Sequence, residues 1–355
     1  DYFQKKGIEF HVACSPSEHL NRYAELKKFK AFPVDILRKI SPLRDLITLI
    51  LLIRYIKKNK IDFVIGYTPK GALLGLLAAY LSGIENRVYY RLGIMYETSK
   101  GLKRWILKNI EIFTGMLATK VVCISPSLLQ LSNQIKLSHP SKNIILGKGS
   151  CNGIDIVKYD RKNDQELSEK LFKKLDLKDN YVLGYVGRLV NDKGIIELIN
   201  AWKIVKKSNQ NAKLLLVGPF EDNDKLPSET IEIINSEPSI IHIGLVENTK
   251  VYYQLMNSFI LPSYREGFPT VVLEASAMEL PIITTMSTGC RDAIIPNQTG
   301  IFTTINAEDI ASKINYYMEH RDIGKTHGSN GRAFVIENFT QEVIWQEIEH
   351  EIYNE

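Results

Sequence analysis

Two stretches of the chain set ionisable side chains at fixed spacing around a turn from an apolar run into a helical one. The first is Pro262-Ser263-Tyr264-Arg265-Glu266-Gly267-Phe268-Pro269-Thr270-Val271-Val272-Leu273-Glu274. Glu266 falls in the glycine loop and Glu274 one to two turns into the helix, so both carboxylates can face one cleft. Each accepts more than one hydrogen bond, which suits the hydroxyls of a sugar and of a ribose. Pro269 suits a first-turn position, where a missing N–H is no loss. The amides of 270–272 and the helix dipole favour an anion there.

The second stretch is Val186-Gly187-Arg188-Leu189-Val190-Asn191-Asp192-Lys193-Gly194. Arg188 offers a planar fork to phosphate oxygens and Lys193 a point charge. Together they could neutralise a diphosphate without a metal. Taken singly, each stretch also reads as an exposed turn with no shared task. Both leave strands of one presumed sheet, which joins them into one site. Other strand ends add backbone groups. Gly218 closes Leu216-Val217-Gly218, and Gly244-Leu245-Val246 offers main-chain atoms to a nucleobase edge. Ser287-Thr288-Gly289-Cys290-Arg291-Asp292 follows a further strand.

Several look-alikes fail. Gly147, Gly149 and Gly153 are spaced one residue too widely for the dinucleotide fingerprint. Gly324-Lys325-Thr326 has Glu319 where a phosphate loop needs glycine. Asp222-Asn223-Asp224 has the D-x-D spacing of metal-dependent sugar transferases. It sits beside Glu221 and reads as a solvated acidic loop, so no metal is expected. The seven histidines form no zinc spacing, and there is no G-x-S-x-G elbow.

The elements that must position these groups alternate between strand and helix. Apolar runs at 9–15, 62–68, 87–93, 120–125 and 144–149 alternate with helical stretches at 44–60, 70–83, 100–117 and 126–136. After a polar linker and short helix in 160–180 come strands at 181–189, 212–218, 240–246, 258–262, 281–285 and 300–303. Helices fit 194–207, 249–257, 270–279, 307–320 and 340–354. Strands apolar throughout belong to parallel sheets covered on both faces. The fold class is therefore α/β, with two doubly wound Rossmann-like domains. The expected division is 1–158, 159–336 and a last helical segment, 337–355, packing back toward the first domain. The opening residues read as the end of a first helix before a second strand, so one strand and one helix are expected ahead of Asp1.

The chain has 355 residues, enough for about two domains. Its net charge of +5 conceals an asymmetry. Residues 1–160 hold 25 Lys and Arg against 12 Asp and Glu, whereas 161–355 hold 20 against 28. A basic first half suits a polyanionic partner. Four scattered cysteines argue against a disulfide scaffold and for a reducing compartment. The longest apolar runs, 46–53 and 71–84, fall short of the roughly 18–20 residues that span a bilayer. The reading is a cytoplasmic protein, peripheral at the inner face of the cytoplasmic membrane. The segment 46–60 carries an apolar stripe and Arg54, Lys57, Lys58 and Lys60, which reads as a core helix or as a surface-docking one.

Taken together, Tyr185-Val186-Gly187-Arg188 with Lys193-Gly194, Leu216-Val217-Gly218, and Pro262-Ser263 with Glu266-Gly267-Phe268-Pro269 and Glu274 resemble glycosyltransferase family 4. Tyr67-Thr68-Pro69-Lys70-Gly71-Ala72-Leu73-Leu74-Gly75 and Gly149-Ser150-Cys151-Asn152-Gly153-Ile154-Asp155 resemble a bacterial branch that builds capsule, O-antigen or related surface glycans. The resemblance covers nearly the whole chain. It implies the GT-B architecture, two Rossmann-like domains facing each other across a cleft. It also implies retaining transfer of a hexose or hexose derivative from a nucleotide sugar, UDP- or GDP-linked, to a glycan acceptor expected to be lipid-linked.

By that resemblance, Arg188 and Lys193 stabilise the departing diphosphate. Glu266, with the amides of Gly267 and Phe268, holds the transferred sugar, and Glu274 the ribose. Glu266, Arg188 and Lys193 are thus the catalytic candidates. Gly187, Gly218, Val246, Gly267, Phe268, Pro269, Thr270 and Glu274 are the donor-binding ones, and Lys70, Arg91 and Tyr96 those of the acceptor side. Leu92 stands where related sequences often carry a histidine before the glycine, which removes a polar contact to the sugar. The nucleotide sugar is a co-substrate, and no cofactor is implied. The partners are the donor, a glycan or lipid-diphosphate-linked sugar, and an anionic membrane surface. A nucleotide-sugar epimerase, a sugar phosphorylase or an inactive nucleotide-sugar binder on the same fold is the competing reading. Nucleic-acid binding is excluded because the basic residues are scattered along core helices with no aromatic stacking motif.

Overall fold

The computed structural model describes residues 1–37, 41–94 and 96–353. They form two compact units, one of 1–124 and 129–145, the other of 125–128 and 146–355.

The first unit alternates β1 (His11–Cys14), α1 (Glu18–Lys27), β2 (Lys30–Pro33), α2 (Pro42–Asn59), β3 (Phe63–Gly66), α3 (Pro69–Leu81), β4 (Asn86–Arg91), α4 (Gly101–Leu117), β5 (Lys120–Cys123), α5 (Pro126–Gln134) and β6 (Asn143–Ile144). Strands β3 to β6 form a parallel sheet in sequential order, and β1 pairs with β2 in a separate parallel sheet. Helices α3 and α4 each connect parallel neighbours of the larger sheet, whereas α2 leads from β2 into β3, and the three helices pack side by side. Leu52 and Ile56 of α2 meet Leu74, Ala78 and Ala79 of α3 in a buried cluster. Thr68 caps α3 by accepting a hydrogen bond from the Gly71 amide at 3.2 Å, with Pro69 in its first turn. Sequence patterning missed α1 and β2. Helix α1 buries only Leu20, so its sequence carries no apolar stripe to read, and β2 has four residues.

The second unit contains α6 (Gln165–Lys174), β7 (Tyr181–Val186), α7 (Ile195–Ser208), β8 (Ala212–Val217), α8 (Ser228–Ser236), β9 (Ile240–Gly244), α9 (Lys250–Tyr253), β10 (Ser258–Leu261), α10 (Thr270–Ala277), β11 (Ile282–Thr285), β12 (Gly300–Thr303), α11 (Ala307–Glu319), α12 (Arg321–Asn338) and α13 (Gln341–Ile348). Its parallel sheet runs β9-β8-β7-β10-β11-β12. Strands β7, β10 and β11 are buried along their whole length, as their largely apolar sequences require. The strand order reverses between β7 and β10. Ligands of such sheets bind at the carboxyl ends on either side of that reversal.

Two features differ from the sequence reading. Residues 324–331, which the sequence reading assigned to no element, form part of α12. Glycines disfavour a helix in isolation, but here they permit contact. A Cβ at Gly328 would stand 2.1 Å from the Glu279 carbonyl oxygen, so the row lets α12 close on the end of α10. Residues 146–158 and 337–355 both go with the second unit. The Ile154 amide donates to Phe339 O at 2.6 Å, and the Gln341 amide returns to Ile154 O at 3.2 Å.

Candidate active site

The loops after β7 and β10 are stitched together at the strand-order reversal. After β7, Gly187 leads to a short helical turn, Asn191–Lys193, and then to Gly194 at φ 69°. A Cβ on Gly194 would stand 2.1 Å from the Pro262 carbonyl, so only glycine lets the two loops meet so closely. The Asp192 carbonyl accepts from the Tyr264 amide at 3.0 Å and the Ser263 hydroxyl at 3.2 Å. Its carboxylate pairs with Arg265 at 2.5 Å. Across this seam the Lys193 ammonium pairs directly with the Glu266 carboxylate, both side chains mostly buried. Two of the three catalytic candidates are therefore in contact.

Arg188 is half exposed and pairs with Glu221 at 2.7 Å. Its carbonyl accepts a 2.8 Å hydrogen bond from the buried Tyr185 hydroxyl, which braces the turn from below. Asp224 does not belong to a solvated loop as expected. Its carboxylate accepts from the Asp192 amide at 2.7 Å and the Asn191 side chain at 3.2 Å. The acidic turn 222–224 thus orients the cationic turn bearing Lys193. No signal in the sequence pointed to this pairing, because it joins residues more than a helix and strand apart.

The loop after β11 closes the other side. The Glu266 amide donates to Thr288 O at 3.0 Å. A Cβ on Gly289 would lie 2.5 Å from Gly267 O and 2.7 Å from Glu266 O. Thr285 and Ser287 hydroxyls donate to the Ser263 carbonyl at 2.7 and 3.0 Å. Cys290 is fully buried beside this loop. Burial, and then the Glu266 charge, push its thiol up to about 11, so it remains protonated and is no nucleophile.

Pro269 precedes the first helical residue of α10 rather than occupying its first turn. Its carbonyl accepts from the Val272 amide at 2.9 Å, so that amide is not offered to a ligand as expected. Thr270, the first residue of α10, is exposed, whereas Gly267 is buried and Phe268 turns its ring inward to within 5.3 Å of Phe339. Gly187 and Gly218 nearly touch: a Cβ on Gly218 would lie 1.9 Å from Gly187 O. Gly218 also bridges Gly244, and its carbonyl contacts His242 Nε2 at 2.9 Å. Val246 is half-buried in the loop that follows. Among the described residues no cluster of three His, Cys, Asp or Glu is placed to hold a metal.

Glu274 accepts from the Tyr253 hydroxyl at 2.8 Å, and Tyr159 also donates to it. Burial raises its carboxyl above the usual range, against the lowering by these two hydrogen bonds. Between the unfolded and folded pKa values the native state then holds the proton more tightly than the unfolded chain. Stability therefore falls as pH rises through that window. Urea midpoints of the wild type should drop relative to Glu274→Gln between pH 4 and neutrality. Parallel profiles would mean that burial does not penalise the charge.

The acceptor-side candidates stand differently from expectation. Arg91 is fully buried in a pair with Glu111 at 2.7 Å, and it cannot meet an acceptor in solution or replace a sugar-facing histidine. Tyr96 is also buried, and desolvation pushes its hydroxyl up to about 12. Lys70 is held by Asp45 at 2.6 Å. Leu92 is partly exposed.

A family model described as glycosyl transferases group 1 matches residues 168–334, and one described as glycosyl transferase 4-like matches 1–125. The capsular polysaccharide biosynthesis glycosyltransferase CapM of Staphylococcus aureus is 35% identical over 355 residues, covering 100% of this chain and 92% of CapM. The UDP-Gal:alpha-D-GlcNAc-diphosphoundecaprenol alpha-1,3-galactosyltransferase of Escherichia coli is 27% identical, covering 87% of this chain and 79% of that enzyme. Among solved structures, Anabaena HepE in complex with UDP and glucose superposes with a TM-score of 0.81 at 18% identity. The match covers 97% of this chain and 92% of HepE. WaaG, a glycosyltransferase involved in lipopolysaccharide biosynthesis, superposes with a TM-score of 0.77 at 15% identity, covering 100% and 94%.

Proposed function

The chain belongs to the group 1 glycosyl transferases, and we propose that it moves a hexose or hexose derivative from a UDP-sugar to a lipid-diphosphate-linked acceptor, with retention of configuration. One observation carries this reading: Lys193 and Glu266 meet where the strand order reverses, the usual ligand crevice of such a sheet. The UDP complexes of HepE and the UDP-Gal donor of the E. coli relative favour UDP over GDP. The latter's diphosphoundecaprenol acceptor favours a lipid-linked sugar here. A lipid-linked acceptor of this kind supports a reaction at a membrane surface.

In this reading Lys193 and Arg188 contact the diphosphate. Arg188 leaves Glu221 to do so. The bond from the anomeric carbon to the β-phosphate oxygen breaks, and negative charge grows on that oxygen. Fixed cations stabilise this charge more than the ground state, so they act on rate as well as binding. The acceptor hydroxyl bonds to the same carbon from the same face. Its proton passes to the departing diphosphate. Glu266 accepts hydrogen bonds from the sugar hydroxyls, and Glu274 accepts from the ribose while its tyrosine partners fix its rotamer.

Purified protein, UDP-hexoses and a polyprenyl-diphosphate N-acetylhexosamine test the proposal. The expected product carries the new sugar in the donor's anomeric configuration, read by NMR coupling constants. An inverted anomer would remove the retaining mechanism. Epimerised UDP-sugar formed without acceptor would instead establish the epimerase reading.

A further inference from the structure

The Lys193–Glu266 ion pair joins two short segments, 192–197 and 264–266, and two further side-chain contacts join the same segments. Asp192 pairs with Arg265 at 2.5 Å. The Tyr264 hydroxyl donates to Glu197 Oε1 at 2.7 Å. Glu197 stands four residues after Lys193, and Tyr264 two before Glu266. The last contact therefore ties the chain just beyond the cation to the chain just ahead of the carboxylate.

Glu197 is the third residue of α7. A glutamate there commonly turns back to accept from the amide that precedes the helix. That amide, of Gly194, donates instead to Asn191 O at 2.9 Å. Glu197 thus has no local cap to make and turns to Tyr264. Its second oxygen, Oε2, is buried with no hydrogen-bond partner among the described residues. A buried carboxylate oxygen left unpaired costs stability. The helix dipole favours a carboxylate in the first turn, yet it does not pair that oxygen. Stability alone would be served as well by an apolar side chain. What explains the glutamate is the group its other oxygen holds.

Tyr264 points the same way. Its ring is 43% exposed, so the core does not require it. A hydrogen bond at such a site competes with water and adds little to stability. What it adds is geometry, because α7 is a firm support, with Ile195, Leu198, Ile199 and Trp202 all buried. Partial burial, and then the Glu197 hydrogen bond, push the Tyr264 hydroxyl up to about 12, so it donates throughout the neutral range.

We propose that Glu197 is a positioning residue for sugar transfer: through the Tyr264 hydroxyl it holds segment 264–266, and with it the Glu266 carboxylate, against the turn that carries Lys193. Its kinetic consequences rest on the transferase reading. The contact itself does not.

Hydrogen exchange on the free protein tests the contact, whatever the substrate. Tyr264→Phe should speed exchange at the Glu266 amide, which donates to Thr288 O, and leave strands β7 and β10 as protected as in wild type. Unchanged exchange at Glu266 would overturn the proposal. In sugar transfer, Tyr264→Phe and Glu197→Ala should each lower kcat about tenfold, within the range expected for a misplaced catalytic group. Affinity for UDP alone, measured by calorimetry, should stay within about twofold of wild type, because UDP lacks the sugar that Glu266 holds. Glu197→Gln keeps an acceptor oxygen and should recover most of kcat. Tyr264→Phe/Glu197→Ala should be no slower than either single variant, since both remove one contact. A merely structural role would lower the melting temperature and weaken UDP binding in step with kcat, and that result would overturn the proposal. So would full activity in Tyr264→Phe with loss in Tyr264→Ala, which would assign the effect to the ring. A wild type that binds no UDP-sugar would instead fail the transferase reading, and exchange at Glu266 would still decide the clamp.

Discussion

Lys193→Ala is expected to lower kcat for sugar transfer by about 10²–10³-fold, the effect typical of removing one preorganised charge or donor at a developing anion. Three features of the site set this magnitude. Lys193 is mostly buried, so water cannot replace its charge cheaply. Its position is over-determined by Gly194 against Pro262, by Asp224 on the Asp192 amide, and by Asp192 on Tyr264 and Ser263. It also fixes Glu266, so its loss disturbs the sugar-holding carboxylate. Glu266→Gln should lower kcat as well, since it keeps an acceptor oxygen but abolishes the ion pair. Because the two side chains touch, the double variant should fall short of the product of the single effects. Arg188→Ala should act more on KM for the donor, as Arg188 is half exposed and already shared with Glu221. Steady-state kinetics on the four proteins check this pattern. A fall of less than tenfold in kcat for Lys193→Ala would mean that the diphosphate is stabilised elsewhere.

Much of this site can be read from the chain because it is built from local signals. Strands β7, β8 and β10 are apolar but for Lys213 and Ser258, and each is followed at once by a glycine or proline and then by helical periodicity. Both loops are thus visible as strand-to-helix turns. What stays hidden is non-local. Asp224 looks like half of a metal motif until its partner, the Asp192 amide, is found at the neighbouring strand end. Tyr253 and Tyr159 look like packing residues until Glu274 is placed between them. Helix α12 defeats propensity because its Gly328 answers to the Glu279 carbonyl rather than to the helix itself. Arg91 misleads for the same reason. An arginine at a strand's carboxyl end looks aimed at a ligand, but its partner lies on a helix further along the chain.

That partner makes Arg91 a strong stability determinant of the first unit. Replacing it with alanine should destabilise the first unit by about 3–5 kcal/mol, the cost of leaving a buried charge without its counterpart. Arg91 Nε donates to Glu111 at 2.7 Å and a terminal nitrogen donates to Ser138 Oγ at 3.1 Å. The Ser138 hydroxyl in turn donates to Asn143 Oδ1 at 2.6 Å, and Asn143 Nδ2 donates to Asn133 Oδ1 at 2.6 Å. The Tyr89 hydroxyl reaches both Glu111 oxygens at 2.9 and 3.0 Å. Burial, and then the Glu111 charge, push that hydroxyl well above its ordinary range, so it stays a donor. One network therefore ties β4, α4, α5 and β6. Arg91→Lys keeps the charge but not the fork, and should recover only part of the loss. The paired change Arg91→Met/Glu111→Leu should destabilise less than either single truncation, because it removes both charges together and leaves neither stranded. Urea unfolding gives the magnitudes, and hydrogen exchange at the amides of β4 and α4 localises them. If Arg91→Ala shifted the transition by less than about 1 kcal/mol, water or a rearranged partner would have to be neutralising Glu111.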